Sequence, residues 1–317
     1  MVMFLLMLHS NFMQKTLAIY LQIGAFFKNL FSSFLSILKV ILLSKFSLKL
    51  PKATLKKAAI LGNGPSLKTT LANDLDFIKT TDIYAVNLFS SSTEFSQIKP
   101  QNYVILDPAF FLFSPANDGR EDIKKTLHCL IKDTTWEMNL FVSQKVKNTY
   151  FITQILANNK NITVNYFNYT IVEGFAWFRH RIFNLNLGMA QCQNILACAL
   201  FLAIRRQYEE IYLFGADHSW HEEIRVNETN DIEVKQVHFY DNAAQIKHQK
   251  ILDVNTNVHS NIQTIFLSLY KAFYGYGILR QYAHYQGIKI YNASTKSYID
   301  AFERVKISPN SLQTGGD

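Results

Sequence analysis

Ala58-Ala-Ile-Leu-Gly-Asn-Gly-Pro-Ser-Leu67 is a short apolar run that meets a turn rich in Gly, Pro and Ser. Gly62 and Gly64 allow positive φ and close approach of backbone to a ligand. Pro65 suits a first helical turn, and Ser66 can cap it. Backbone N–H groups at such a helix start favour an anion, usually a phosphate. The pattern is G-x-G-x-x-L, short of the full dinucleotide fingerprint, and no G-K-[ST] follows to make a P-loop. At the end of the next apolar run stands Asn87, where an NAD site would carry an acid for the ribose. The reading is a nucleotide phosphate or ribose contact other than NAD; the alternative is a tight turn with no ligand.

Other residues with chemistry in them end the same kind of run. Asp107-Pro108 follows one, and Gly215-Ala-Asp-His-Ser-Trp220 follows another. Most are neutral hydrogen-bonding groups, suited to the hydroxyls and base of a nucleotide. Asp217, His218 and His221 are a weak metal pattern with no D-x-D beside them, so no metal is expected. The region carrying His218, His221, His238, His248 and His259 is rich in groups able to take a proton near neutral pH. Most of these are expected to be solvated loop residues. Trp220 could stack on a base or sugar, or simply be core. His284 falls inside a helical run and reads as structural.

These residues need a frame. Strands are expected at Ala58–Leu61, Asp82–Val86, Tyr103–Leu106, Asn139–Val142, Thr163–Phe167, Glu210–Phe214 and Ile288–Tyr291. Helices fit 67–78, 120–133, 146–157, 188–207, 257–286 and 297–305. The alternation predicts an α/β, Rossmann-like, mostly parallel sheet flanked by helices. In such a sheet the ligand crevice lies at the C-terminal strand ends, where the residues above collect. The polar stretch 216–258 lacks periodicity and reads as a lid. The expected division is an N-terminal segment 1–50, a body 56–305 and a tail 306–317.

Composition narrows the classes. The chain has 317 residues, is 49% hydrophobic and is 18% charged, which excludes a disordered or fibrous chain. Three cysteines with no C-x-x-C exclude a disulfide scaffold and point to a reducing compartment. The net charge is +8, yet residues 1–73 hold nine lysines and no acid, and the remainder carries a net charge of −1. The basic character belongs to the N-terminal segment, and no nucleic-acid partner is expected.

That segment is apolar, with Lys15, Lys28, Lys39, Lys45 and Lys49 spread along it. It offers no 18-residue uncharged span, which disfavours an ordinary transmembrane helix. Over 25–44, Lys28, Ser32, Ser36 and Lys39 fall at i, i+4, i+8 and i+11, with Asn29 and Ser33 beside them: one narrow polar stripe. Such a helix can lie in a bilayer interface with its lysines toward anionic lipid. A snorkelled span and a helix docked on protein are the alternatives. Met13 is an alternative start.

L-G-N-G-P-S-L after the first strand, V-N-L-F after the second, D-P-A-F-F after the third, E-E-I-Y-L-F-G-A-D and the closing I-K-I-Y-N-A-S together resemble the bacterial sialyltransferases of glycosyltransferase family 42. The likeness covers roughly 57–110 and 187–305. G-N-G-P-S is shared with the wider MptE-like group. The resemblance implies a Rossmann-like domain with a lid that moves a nonulosonic sugar from a CMP donor, with inversion and without a required metal or other cofactor. It implies that Asn63 and Gly64 meet the donor phosphate and ribose, with Gly62, Ser66, Gly215, Asp217 and His218 around them, and that Asn87 contacts the nucleotide. Asp107 stands where the family has Asn. The family's Thr-Ser pair is missing, and Gln193 and Asn194 fall nearest. Its base is a lid His; Val237-His-Phe-Tyr-Asp241 resembles the family's H-Y segment, which nominates His238 with Tyr240, while His259 and His218 remain alternatives. Tyrosine hydroxyls donated to the leaving phosphate would suffice as acid. The implied partners are a CMP-activated sugar, a glycan or glycolipid acceptor and, through residues 1–50, the cytoplasmic face of a bacterial inner membrane, with homo-oligomers allowed. An MptE-like pyrophosphokinase and a non-catalytic sugar-nucleotide-binding protein are the other two readings.

Overall fold

The computed structural model describes residues 2–116, 119–242, 246–251 and 259–307, with side chains from Met13 onward. In chain order the elements are α1 (Val2–Leu43), β1 (Lys57–Leu61), α2 (Leu67–Asn73), α3 (Leu75–Lys79), β2 (Asp82–Val86), α4 (Phe95–Ile98), β3 (Asn102–Val104), α5 (Ala109–Leu112), α6 (Glu121–Asp133), β4 (Met138–Ser143), α7 (Tyr150–Asn158) and β5 (Ile162–Phe167). There follow α8 (Ala176–Asn184), α9 (Ile195–Arg205), β6 (Glu210–Phe214), β7 (Ile224–Val226), β8 (Ile232–Val234), β9 (Gln249–Lys250), α10 (Ile262–Gln286), β10 (Lys289–Asn292) and β11 (Glu303–Arg304). Two compact units result: residues 1–46 with 168–190, and residues 47–167 with 191–317. The segment 168–190 therefore groups with the N-terminal helix, a division different from the one expected.

In the larger unit an eight-stranded sheet runs β11-β10-β6-β1-β2-β3-β4-β5, every pairing parallel. Ala58 to Leu61 and Ile83 to Val86 are fully buried, because a parallel strand is covered on both faces. From β1 the chain steps outward through β5, then returns to place β6 on the other side of β1. The strand order reverses between β1 and β6, the position at which an open parallel sheet carries its ligand crevice. One face is covered by α9, whose Leu196 to Ile204 are all buried, and α10 packs on α9. A core of Phe77, Phe89, Phe95, Phe110, Leu130 and Phe151 fills the other.

The expected strands are present within a residue or two. The helices differ more. The run 67–78 breaks at Asp74, and 188–207 begins only at Ile195, where Asn194 Oδ1 accepts the Ala197 N–H at 2.9 Å and caps it. α10 starts at a capping box made by Asn261 and Thr264; residues 257 and 258 lie outside the described residues. The helix expected over 297–305 does not form. Ser297 Oγ donates to Ala216 O at 2.6 Å, and Asn292 Nδ2 donates to Ser297 Oγ and to Ile299 O. Those local bonds hold the chain in a turn, and β11 then joins the sheet edge. The expected lid carries a small antiparallel sheet, β7-β8-β9; its residues 243–245 and 252–258, like 308–317 of the tail, lie outside the described residues.

In the smaller unit α1 runs without a break well beyond the expected 25–44. Its stretch Met13–Leu43 is long and apolar enough to cross a membrane, although no uncharged 18-residue span exists. Only part of the polar stripe is covered: Lys28 and Lys39 are exposed, while the serines between them turn toward protein. Ser33 and Ser36 are buried against residues 173–175: Ser33 Oγ accepts the Phe175 N–H at 3.2 Å, and Ser36 Oγ accepts the Glu173 N–H at 2.9 Å.

Candidate functional site

The glycine turn is built by close approach. The β1 end and the β6 end run side by side, and Gly62 N–H donates to Phe214 O at 2.7 Å while Gly64 N–H donates to Gly215 O at 3.0 Å. A Cβ on Gly62 would lie 2.5 Å from Gly215 O, and one on Gly64 would lie 2.4 Å from Asp217 Oδ1. Positive φ is not what these glycines supply; Gly215, at φ +60°, has it instead. Ser66 does not cap α2. Its N–H donates to Asp217 Oδ2 at 2.9 Å and its hydroxyl to Asp217 Oδ1. Asp217 is buried, and burial raises its carboxyl above the usual range against the opposing pull of the Ser66 bonds. Since the amides of Gly64, Ser66 and Leu67 already have protein partners, the expected backbone cradle for an anion is largely spent.

Beside this turn a cavity of about 510 Å³ opens. It takes in Gly62, Asn63, Gly64, Asn87, Asp107, Asn194, Gly215, Asp217, His218 and His238 from the residues expected in the site. This is the size of a nucleotide-class ligand site. Ser66, Gln193, Tyr240 and His259 do not line it. Gln193 is exposed and accepts from Gln191 Nε2 at 3.3 Å, and His259 is exposed.

The amides are arranged with polar atoms to spare. Asn63 Nδ2 donates to Val86 O at 3.2 Å, yet its Oδ1 is buried with no partner among the described residues. Asn194 Nδ2 is likewise buried and unpartnered, while its Oδ1 serves the α9 cap and Tyr276. One acceptor and one donor are thus left on side chains that line the cavity, a cost that a polar ligand or water would relieve. Asn87 takes φ +46°, which Asn tolerates better than most side chains, and its carbonyl accepts the Tyr103 hydroxyl at 2.5 Å.

The histidines divide by environment. His218 is buried, with its ring 4.2 Å from that of half-exposed Trp220. Its Nε2 is 2.7 Å from the Tyr276 hydroxyl, which also donates to Asn194 Oδ1 at 3.1 Å. Burial pulls its pKa down to about 3, so it stays neutral at physiological pH. His238 is half-buried and lines the cavity. Asp241 Oδ2 accepts its backbone N–H at 2.8 Å and sits 3.0 Å from its Nδ1. A carboxylate on Nδ1 fixes the orientation of the ring and leaves its Nε2 outside that contact. Tyr240 stacks on that ring at 5.1 Å between centroids; its hydroxyl is buried and burial raises its pKa. His221 packs edge-on to Tyr298, and His248 lies 3.9 Å from Glu223.

Asp241 was within reach of the sequence, three residues after His238, but nothing marked it as the partner. The cavity also carries cations. Arg120, Lys235 and Lys296 all line it. Lys296 pairs with Glu222 at 2.5 Å, and Arg120 lies 3.8 Å from Asp107 and pairs with Asp122. They sit on separate stretches of chain, so no linear motif announces them. Among the described residues no group of three or more His, Cys, Asp or Glu is placed to hold a metal ion.

No family model matches this chain. No curated protein matches it. Among solved structures it is similar to a MAf glycosyltransferase from Magnetospirillum magneticum AMB-1, at 12% identity and a TM-score of 0.44, over 83% of this chain and 35% of that one. The chain thus spans about a third of that protein's length, and a likeness so loose carries no argument.

Proposed function

We propose that this chain is an inverting glycosyltransferase that moves a nonulosonic, sialic-acid-like sugar from a CMP donor to a hydroxyl of a glycan or glycolipid. The observation that carries the reading is the His238–Asp241 pair on a nucleotide-sized cavity at the β1–β6 strand-order reversal. In the step, His238 Nε2 takes the acceptor O–H proton. The acceptor oxygen attacks the anomeric carbon, the carbon–oxygen bond to the phosphate breaks, and CMP leaves with the electron pair. Asp241 offsets the charge of the imidazolium so formed. Asn63, Asn87 and Asn194 are the uncharged groups for ribose and base. Arg120 and Lys235 are the cations for the phosphate, so that the leaving group is met by protein charge and no metal is required. In this reading the protein works as a peripheral enzyme at the cytoplasmic face of a bacterial inner membrane, where its acceptor is presented.

The test is CMP release from CMP-activated nonulosonic acid, with and without EDTA. His238→Ala should lower kcat by about 10²–10⁴-fold with the thermal shift by CMP retained. Asp241→Asn should lower it less. Full turnover by His238→Ala would remove the mechanism. A protein stabilised by ATP and not by CMP, and silenced by EDTA, would favour pyrophosphate transfer instead.

A further inference from the structure

The smaller unit is amphipathic the wrong way round for a protein in water. Among the described side chains of α1, Asn29, Ser32, Ser33, Ser36 and Val40 form the covered stripe, while Phe27, Phe31, Phe34 and Leu42 are 61%, 63%, 57% and 78% exposed. The covered stripe is held by irregular backbone. Gly174 adopts φ +109° against Ser33, where a Cβ would lie 2.0 Å from Ser33 Oγ. Ser44 Oγ donates to Leu187 O at 2.6 Å, and Asn168 Nδ2 donates to Lys45 O at 2.8 Å. From this loop the aromatic row continues: Phe175 lies 5.5 Å from Phe26, and Trp177 stacks on Phe175 at 6.4 Å while remaining 71% exposed.

An apolar helix face this long, with a neighbouring exposed Trp, needs an apolar surrounding. Charge names the surrounding. Lys15, Lys28 and Lys39 are exposed along α1, and no acid occurs before Asp74. That complements an anionic lipid surface. The geometry also decides how α1 meets it. Lys28 stands about midway along the roughly 36 Å between Lys15 and Lys39 at about 1.5 Å per residue. A spanning helix would hold that ammonium near the bilayer centre, at a cost of about 2.5–3.5 kcal/mol. It would also bring the irregular backbone of 172–175 to the same depth, which hydrocarbon does not accommodate. Lying in the plane avoids both.

We propose that α1 and residues 168–190 together form an in-plane membrane anchor, in which the Phe/Leu face of α1 enters the acyl boundary of an anionic bilayer and Trp177 enters beside it at headgroup depth. The inserted segment, not the N-terminal helix alone, is then part of the lipid contact. The inference stands whether or not the donor reading is right, because no nucleotide enters its test.

The test uses the full chain and phosphatidylcholine vesicles with and without phosphatidylglycerol. In a Trp136→Phe/Trp220→Phe background, Trp177 emission should shift to the blue on anionic vesicles, with stronger quenching by bromines near the headgroup than by bromines deep in the chain. Wild-type protein should co-sediment with anionic vesicles, and alkaline carbonate should release it. Lys28→Gln/Lys39→Gln should weaken binding by roughly 20–30-fold, from about 1 kcal/mol per Lys. Trp177→Ala in the otherwise wild-type chain, which keeps the test open if the double Phe variant does not fold, should also weaken it. An unchanged Trp177 environment on vesicles, resistance to carbonate, or a stable dimer that ignores lipid would each overturn the proposal.

Discussion

His238 lines the cavity with Nδ1 held 3.0 Å from Asp241, whereas His218 is buried with its Nε2 on the Tyr276 hydroxyl. The two rings are chemically alike, and the solvent around them separates their roles. Desolvation keeps His218 neutral, with a pKa near 3 against about 6.5 in the unfolded chain. A depressed folded-state value means the unfolded chain takes up the proton first. The stability this site contributes is therefore complete above about pH 6.5 and drains away as pH falls toward 3, by up to roughly 1.4 kcal/mol per pH unit. Urea denaturation at pH 7 and pH 5 should show the wild type losing more stability than His218→Gln. Equal losses in the two proteins would mean that His218 is not held neutral. From the sequence, His218, His238 and His259 were all candidates for the base; burial and a carboxylate partner are what distinguish them, and neither is a property of a single residue type.

At the level of elements, the β1 and β6 ends must touch for the crevice to exist. Gly64 faces Asp217 and the Gly215 carbonyl so closely that Gly64→Ala would force backbone apart. We expect a loss of roughly 1–3 kcal/mol in stability and of CMP binding in a thermal-shift titration. Gly277→Ala is the contrasting case: nothing lies within 4 Å of the added Cβ, and α10 should gain up to about 1 kcal/mol. If both variants behave alike, close packing at the turn is not what the glycine serves. The strands were legible because parallel, doubly covered strands read as continuous apolar runs. Helix ends were less so. Asn194, Asn261 and Ser297 act through side-chain bonds to backbone, and whether such a bond starts a helix or prevents one depends on what lies nearby.

For the larger unit as a whole, the end of the sheet opposite the cavity is closed by one buried cation. Arg206 donates to Pro51 O at 3.0 Å, Lys52 O at 2.8 Å, Tyr84 Oη at 2.7 Å and Asn102 Oδ1 at 2.6 Å, fastening the incoming chain to β2 and β3. Asp82 nearby accepts the Tyr208 hydroxyl at 2.7 Å and Thr54 N–H at 3.0 Å. Arg206→Met should cost about 2–4 kcal/mol, because two backbone carbonyls and the Asn102 side-chain oxygen would lose their charged donor. A lowered urea midpoint with unaltered CMP binding would fit this role; an unchanged midpoint would not.

The order of apolar runs, the glycine turn and the strand-end asparagines follow from local composition, so the α/β class and the place of the crevice could be read before any coordinates. Three things could not. The partition of the chain, with 168–190 joined to α1, depends on contacts between segments more than a hundred residues apart. The cavity's cations come from separate loops. And the serine stripe of α1 could be seen as a stripe, but which side of it would be covered is set by what packs there: a pattern gives the angle between faces of a helix, and only the neighbours decide which face meets protein.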